Sequence, residues 1–282
     1  MLLIQEPNII SGLLLILNNM KVNFLCENCL STLDNLINQK KKVNVVLTSP
    51  PYNSRRNVKN ERGRNNFECF YDEYDDSMSD EDYNNFIMKI FFKLDKVLAD
   101  DGVILWNCNY GNENINQPWQ SLSYIFLLTN FRISEVIYWK KLCAIPNNVS
   151  RNKLTRIIEP IFVFVRESQH KTYQMNKEIA SINEKTKQRF YKNYFNFIEA
   201  PNNDGSCKLN KATFSSELVR QLLNLYAKDG DVVYDPFMGT GTTAIGCFLS
   251  DIKIKQVIGS EISKKQVEFS EKRVLKYLSN HK

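Results

Sequence analysis

The sequence predicts an α/β fold: a mostly parallel, twisted sheet with helices on both faces. Two observations carry that expectation. Short β-branched runs, such as Val43 to Leu47 and Val232 to Tyr234, alternate with longer segments whose apolar residues recur every three or four positions. The second of these runs then passes through a glycine turn, Gly239-Thr240-Gly241, into a helical pattern. That is the arrangement of a ligand-binding βα unit. At 282 residues the chain is long enough for one large domain, or for one domain with an insert.

In chain order, residues 1–21 read as an N-terminal extension. Its apolar patch, Ile9 to Leu17, is shorter than the ~20 residues a membrane span needs, and reads as a packed helix or strand. Translation starting at Met20 is a second hypothesis for this end. Val22 to Leu25 is a short strand, Leu30 to Ile37 a helix, and Val43 to Leu47 a buried strand broken only by Asn44. The strand stops hard at Pro50-Pro51, because neither proline offers a ladder N–H. Ser79, followed by Asp80, Glu81 and Asp82, marks a helix start, and Tyr83 to Leu98 carries the clearest helical stripe in the chain. Strands at Val103–Trp106, Ile133–Trp139 and Ile161–Val165 follow, with a helix at Leu122–Leu128.

From Glu167 to Asn210 apolar residues thin out, and Lys, Asn, Gln and Tyr dominate. A long polar stretch inside a compact domain is either functional or disordered. Phe190, Tyr191, Tyr194, Phe195 and Phe197 lie among Lys187, Arg189 and Lys192. They suit a folded insert that touches nucleic acid, or form a small core of their own. Regular patterning resumes with a helix at Leu218–Tyr226, the strand Val232–Tyr234, a helix through Ala244–Leu249, a strand at Ile254–Ile258 and a last helix from Lys264 to Leu278. The expected division is therefore 1–21, 22–166, 167–210 and 211–282.

Two stretches carry chemistry. In Thr48-Ser49-Pro50-Pro51-Tyr52 the prolines hold the loop extended past the strand's carboxyl end, where open α/β sheets bind ligands. An exocyclic amino group has two N–H donors, and Ser49 Oγ with the Pro50 carbonyl could accept both. Tyr52 could stack on a base taken out of its helix. The bland alternative is a strand-ending turn with a packed tyrosine. The second stretch is Asp235-Pro236-Phe237-Met238-Gly239-Thr240-Gly241-Thr242-Thr243, followed by Glu261. Glu261 stands near the ~20-residue offset expected for an acid that binds ribose hydroxyls. Gly239 and Gly241 allow close approach of a ligand. No Lys follows Gly241, so this is not a P-loop, and the third glycine of a dinucleotide turn is missing. The turn suits an adenosine-containing ligand without a pyrophosphate, with Asp235 placed to hold an ammonium group.

Composition narrows the classes. A net charge of +6 and a pI of 8.8 suit a polyanionic partner. Arg55 and Arg56 after the proline loop, and Lys140, Arg151 and Arg156 around the loop at Pro146, are candidate phosphate contacts or solvated surface. Seven scattered cysteines point to a reducing, cytoplasmic setting, and Cys26-x-x-Cys29 has no second pair or His partner. Only His170 and His281 are present, against a His-based metal cluster or triad. No metal and no membrane association are expected. None of the eight prolines precedes a Cys.

Together the two motifs, proline motif first, resemble those of the beta-class S-adenosylmethionine-dependent amino-methyltransferases of DNA, of the TSPPY type. The resemblance covers roughly 22–166 and 211–282. It implies a Rossmann-like methyltransferase fold with a circularly permuted motif order, and direct transfer to a flipped base in double-stranded DNA. It implies S-adenosylmethionine contacts at Glu27, Thr48, Phe214, Asp235, Pro236, Phe237, Gly239, Gly241, Thr242 and Glu261. Catalysis falls to Ser49, Pro50, Pro51 and Tyr52, and target recognition to 167–210. In this family Ser at the first motif position goes mostly with the N4 amino group of cytosine, and Asp with N6 of adenine. The chain departs from the family at Cys26-Glu27, where Gly-Asp is common, and at Asn210-Lys211, where His-Pro is common. Adenine N6 methylation, RNA methylation and a non-catalytic nucleic-acid binder stay open as alternatives. A cognate restriction endonuclease is a further expected partner, and the chain is expected to be a monomer or homodimer.

Overall fold

A computed structural model describes residues 12–17, 20–53, 73–74, 76–108, 115–144, 146–205 and 213–279. The strands are β1 (Gly12–Leu17), β2 (Met20–Leu25), β3 (Val43–Thr48), β4 (Leu98–Asn107), β5 (Phe131–Lys141), β6 (Ile158–Arg166), β7 (Ile179–Ile182), β8 (Arg189–Tyr191), β9 (Phe197–Ala200), β10 (Val232–Asp235) and β11 (Gln256–Ser260). The helices are α1 (Cys29–Asn38), α2 (Asp80–Val97), α3 (Gln117–Leu128), α4 (Ser216–Tyr226), α5 (Thr242–Leu249) and α6 (Lys264–Ser279).

Among the described residues, nine strands form one sheet in the order β1-β2-β11-β10-β3-β4-β6-β5-β9. The five from β2 to β4 run parallel, and β6 and β1 are antiparallel to their neighbours. Valines and isoleucines of the central strands are buried on both faces, as parallel strands covered by helices require. One face packs against α4, α5 and α6 through Leu218, Leu222, Ala244, Ile245, Val267 and Val274. The other packs against α1, α2 and α3 through Leu33, Ile87, Phe91, Leu94, Leu122 and Ile125. The stripe read from the sequence is the buried stripe of α2, and Ser79 caps that helix by accepting from Asp82 N at 3.0 Å. Asn44, the one polar residue of β3 before its terminal Thr48, accepts from Val232 N at 3.0 Å and so ties β3 to the start of β10.

Two boundaries differ from the sequence expectation. The N-terminal region is not wholly an appendage: β1 pairs antiparallel with β2, which itself starts at Met20. Nor is 167–210 one separate insert. β7 and β8 form their own two-stranded sheet, but β9 joins the main sheet along β5. Phe190, Tyr191, Phe195 and Phe197 are exposed, so they do not form a core of their own. Among the described residues, no helix is long and apolar enough to cross a membrane.

Candidate active site

The two motifs leave neighbouring parallel strands side by side. β10 lies against β3 in the register Val233 to Val45 and Tyr234 to Val46. This is the point where the chain's early strands meet its late ones, so the loops on either side diverge and leave a crevice at the carboxyl ends. Thr48 Oγ1 donates to Asp235 Oδ1 across the junction at 2.7 Å. Asp235 Oδ1 also accepts from Phe237 N at 3.0 Å, and Oδ2 accepts from Thr243 Oγ1. Asp235 is 1% exposed. Burial pushes its carboxyl up to about 6, while the three donors pull it the other way. Both oxygens of Asp235 thus serve the protein; a carboxylate has about four acceptor sites, so one remains for the expected ammonium group at the cavity wall. Its role in the fold is to join the motifs.

The proline loop is held at several points. Tyr83 of α2 donates its hydroxyl to the Pro51 carbonyl at 2.8 Å. Of the two proline acceptors, that leaves the Pro50 carbonyl for a ligand. Tyr52 donates to Asn107 Oδ1 at the end of β4 at 2.7 Å, and its hydroxyl also meets Ser49 Oγ. Asn53 turns the chain in the left-handed region (φ 49°), and its side chain donates to the Met78 carbonyl at 2.9 Å.

The glycine turn is built around Glu261, just beyond β11. Glu261 Oε2 accepts from Gly239 N at 3.1 Å, and Oε1 accepts from Ser263 N at 2.8 Å. Each carboxylate oxygen can accept more than one hydrogen bond, so incoming hydroxyls can join these two donors. Gly239 and Gly241 adopt positive φ (53° and 80°), where a side chain is strained. Gly241 faces inward rather than toward a ligand, because a Cβ there would lie 3.1 Å from Ser270 Cβ on α6. Arg273 of the same helix donates to the Thr240 carbonyl at 2.9 Å, pinning the turn from behind.

Between the loops lies a cavity of about 330 Å³. Ser49, Pro50, Pro51 and Tyr52 line one side. Asp235, Pro236, Phe237, Gly239, Thr242 and Glu261 line the other, and Glu27 and Phe214 complete it. Thr48 and Gly241 are not part of the lining; both act from the layer beneath. Thr32 Oγ1 donates to Glu27 Oε1 at 2.7 Å, which steadies that carboxylate at the cavity edge. The donor set fits S-adenosylmethionine: two carboxylates, Glu27 and Glu261, can accept from hydroxyl and amino groups, and the Phe214 and Phe237 rings can face an adenine. Cys29 also lines the cavity, but burial pushes its thiol up to about 12, so it is no thiolate nucleophile.

The expected nucleic-acid contacts are scattered. Lys140 pairs with Glu199 across β5 and β9. Arg151 is exposed and Arg156 half-buried, and neither lines the cavity. Arg55 and Arg56 lie outside the described residues. Sequence reasoning missed Asn107, Asn53 and Asn28, the last of which lines the cavity and caps α1 by accepting from Leu30 N at 2.9 Å. Asn28 stands directly before the helical stripe, which is a cap signal. Asn107 follows the apolar run Val103–Trp106 at the end of β4, and a lone amide there was the available cue.

Residues 43–272 match the family model described as DNA methylase, of the N6/N4 methyltransferase type. The chain is 26% identical over 271 residues to the orphan methyltransferase M.BamHII of Bacillus amyloliquefaciens, covering 85% of this chain and 91% of that protein. It is 25% identical over 279 residues to the type II methyltransferase M.MthZI of Methanothermobacter thermautotrophicus, covering 86% and 77%. Among solved structures, the PvuII DNA methyltransferase (cytosine-N4-specific) superposes with a TM-score of 0.61 at 15% identity, over 92% of this chain and 91% of that one. The complex of M1.HpyAVI with S-adenosylmethionine superposes with a TM-score of 0.54 at 16% identity, over 89% and 98%. At these identities the structural likeness bears on the fold alone.

Proposed function

The chain belongs to the N6/N4 DNA methylase family of S-adenosylmethionine-dependent amino-methyltransferases, and on that footing we propose that it methylates the N4 amino group of cytosine in duplex DNA. The observation that carries this reading is Ser49 at the cavity wall, beside the Pro50 carbonyl and across from the glycine turn. A hydroxyl and a carbonyl are two neutral acceptors for the two N–H bonds of an amino group. Accepting both draws the nitrogen lone pair out of ring conjugation, and stabilises the positive charge that grows there during transfer. The choice of cytosine rests on the family tendency attached to Ser at this position. The N4-cytosine specificity named for the PvuII enzyme agrees with it.

The residues then divide by task. S-adenosylmethionine supplies an electrophilic methyl group when bound. Glu261 holds ribose hydroxyls, Phe237 and Phe214 flank the adenine, and Glu27 accepts from a donor at the cavity edge. Ser49, Pro50 and Tyr52 receive the flipped base, with the Tyr52 ring against its face. Proximity and electrostatics do most of the work, and no covalent enzyme intermediate is needed. The β7–β8 ribbon suits target recognition, because a two-stranded ribbon fits a major groove and this one carries Lys185, Lys187 and Arg189. The test is expression in a host whose DNA lacks amino-methylated bases, followed by nucleoside analysis of its genome. N4-methylcytosine supports the proposal, and N6-methyladenine alone moves the chain to the family's other base.

A further inference from the structure

The proton of the Tyr52 hydroxyl is committed. It points at Asn107 Oδ1, 2.7 Å away, and an amide oxygen only accepts. The Asn107 amide is held in that orientation from behind, with Nδ2 directed at the Pro160 carbonyl at 3.4 Å. Asn107 is 3% exposed and sits in sheet register opposite Ile161 of β6, so its oxygen has little freedom to turn. Ser49 Oγ meets the same Tyr52 hydroxyl, and position alone allows either group to donate. Because Tyr52's one proton goes to Asn107, the proton between Ser49 and Tyr52 has to be Ser49's. Ser49 is then left with two lone pairs and no proton to present to the cavity.

We propose that Asn107 is a positioning residue: acting through Tyr52, it holds Ser49 as a pure acceptor for the substrate's amino group. This rests on the reading of Ser49 given above. Without the Asn107 oxygen, Tyr52 can donate to Ser49, and Ser49's own proton then turns toward the cavity. A donor would face a donor, and one of the two acceptors that prepare the amine is lost. All three groups are neutral, so the direction of the chain is set by hydrogen-bond chemistry and not by charge. Successive donors and acceptors in such a chain polarise one another in the same sense.

The test compares Asn107→Leu, Tyr52→Phe and the double variant in steady-state methylation of duplex DNA. Calorimetric binding of S-adenosylhomocysteine serves as the readout of an intact cofactor side. The expected result is a fall in kcat of about 10-fold or more in each single variant, the worth of roughly one hydrogen bond. KM for DNA and affinity for S-adenosylhomocysteine stay near wild type. The double variant is no worse than the poorer single one, because both break the same chain. Additive losses, or wild-type kcat in Asn107→Leu, overturn the proposal. Asn107→Asp keeps the shape and adds a signature that a packing role cannot produce. Its ionised carboxylate accepts from Tyr52 as the amide does, and its protonated form competes as a donor. Its kcat therefore rises with pH through an ionisation absent from wild type, and a profile identical to wild type overturns the proposal. Ser49→Ala in the same assay separates the two ideas. Full turnover there removes the Ser49 reading and the relay with it. Loss there, with an active Asn107→Leu, removes the relay alone.

Discussion

Thr48 and Asp235 are 187 positions apart in the chain, and their side-chain oxygens lie 2.7 Å apart in the fold. The bond closes the seam between β3 and β10, so the loop carrying Ser49 and the glycine turn keep a fixed spacing. Thr48→Val keeps the shape and removes the donor. Hydrogen bonds to charged groups are worth about 1.5–3 kcal/mol, and the variant should lose stability in that range. Urea denaturation measures it, and an unchanged midpoint would mean that the seam is held by packing alone.

Asp235 also gives stability a pH dependence with a definite sign. Its carboxyl rises from 3.8 unfolded to about 6 folded, because it is buried. The folded state therefore holds that proton more tightly. The contribution is fully present below about pH 4 and is lost as pH rises through about 6. The displacement corresponds to about 3 kcal/mol. Asp235→Asn does not titrate there. The difference in stability between wild type and variant should shift against wild type from pH 4 to pH 7, and a constant difference would contradict the account.

Ser49→Ala should bind S-adenosylhomocysteine like wild type and lose turnover by roughly 100-fold or more, the scale seen when one transition-state hydrogen bond is removed. Calorimetry and single-turnover methylation read the two separately. Loss of cofactor affinity equal to the loss of rate would show that the two loops do not divide the work as described.

Glu261→Gln keeps the size and removes the charge. Its two oxygens now accept from Gly239 N and Ser263 N, and on this account from ribose hydroxyls. Cofactor affinity should fall roughly 10- to 100-fold, with a smaller effect on DNA binding. An adenosine competitor should show the same loss, since the ribose is common to both ligands.

Replacing Lys185, Lys187 and Arg189 by alanine in the β7–β8 ribbon should weaken DNA binding. It should also flatten the dependence of log affinity on log salt, by about one for each phosphate that these side chains neutralise in the native protein. An unchanged slope would remove the ribbon from the DNA interface.

Much of the fold was legible because buried parallel strands and amphipathic helices write themselves as short β-branched runs and three-to-four spacings. Val43–Leu47, Val232–Tyr234 and the stripe of α2 are such cases. β9 was not legible, since four residues inside a polar stretch carry too little pattern, and only pairing with β5 makes them a strand. The lining of the site was largely readable from the two motifs. The relations among its residues were not. Asp235 lines the cavity and also binds Thr48, Thr243 and the chain at Phe237, bonds that the motif alone does not show. Gly241 was expected to admit a ligand and instead admits α6. Each depends on a partner distant in sequence, which no local spacing encodes.

The measurement that bears most directly on the account is methyl transfer by the purified protein from labelled S-adenosylmethionine to mixed-sequence duplex DNA, followed by nucleoside analysis. The account predicts label in N4-methylcytosine, and its disappearance in Ser49→Ala. Label in N6-methyladenine alone, or none despite measurable binding of the cofactor, would contradict it.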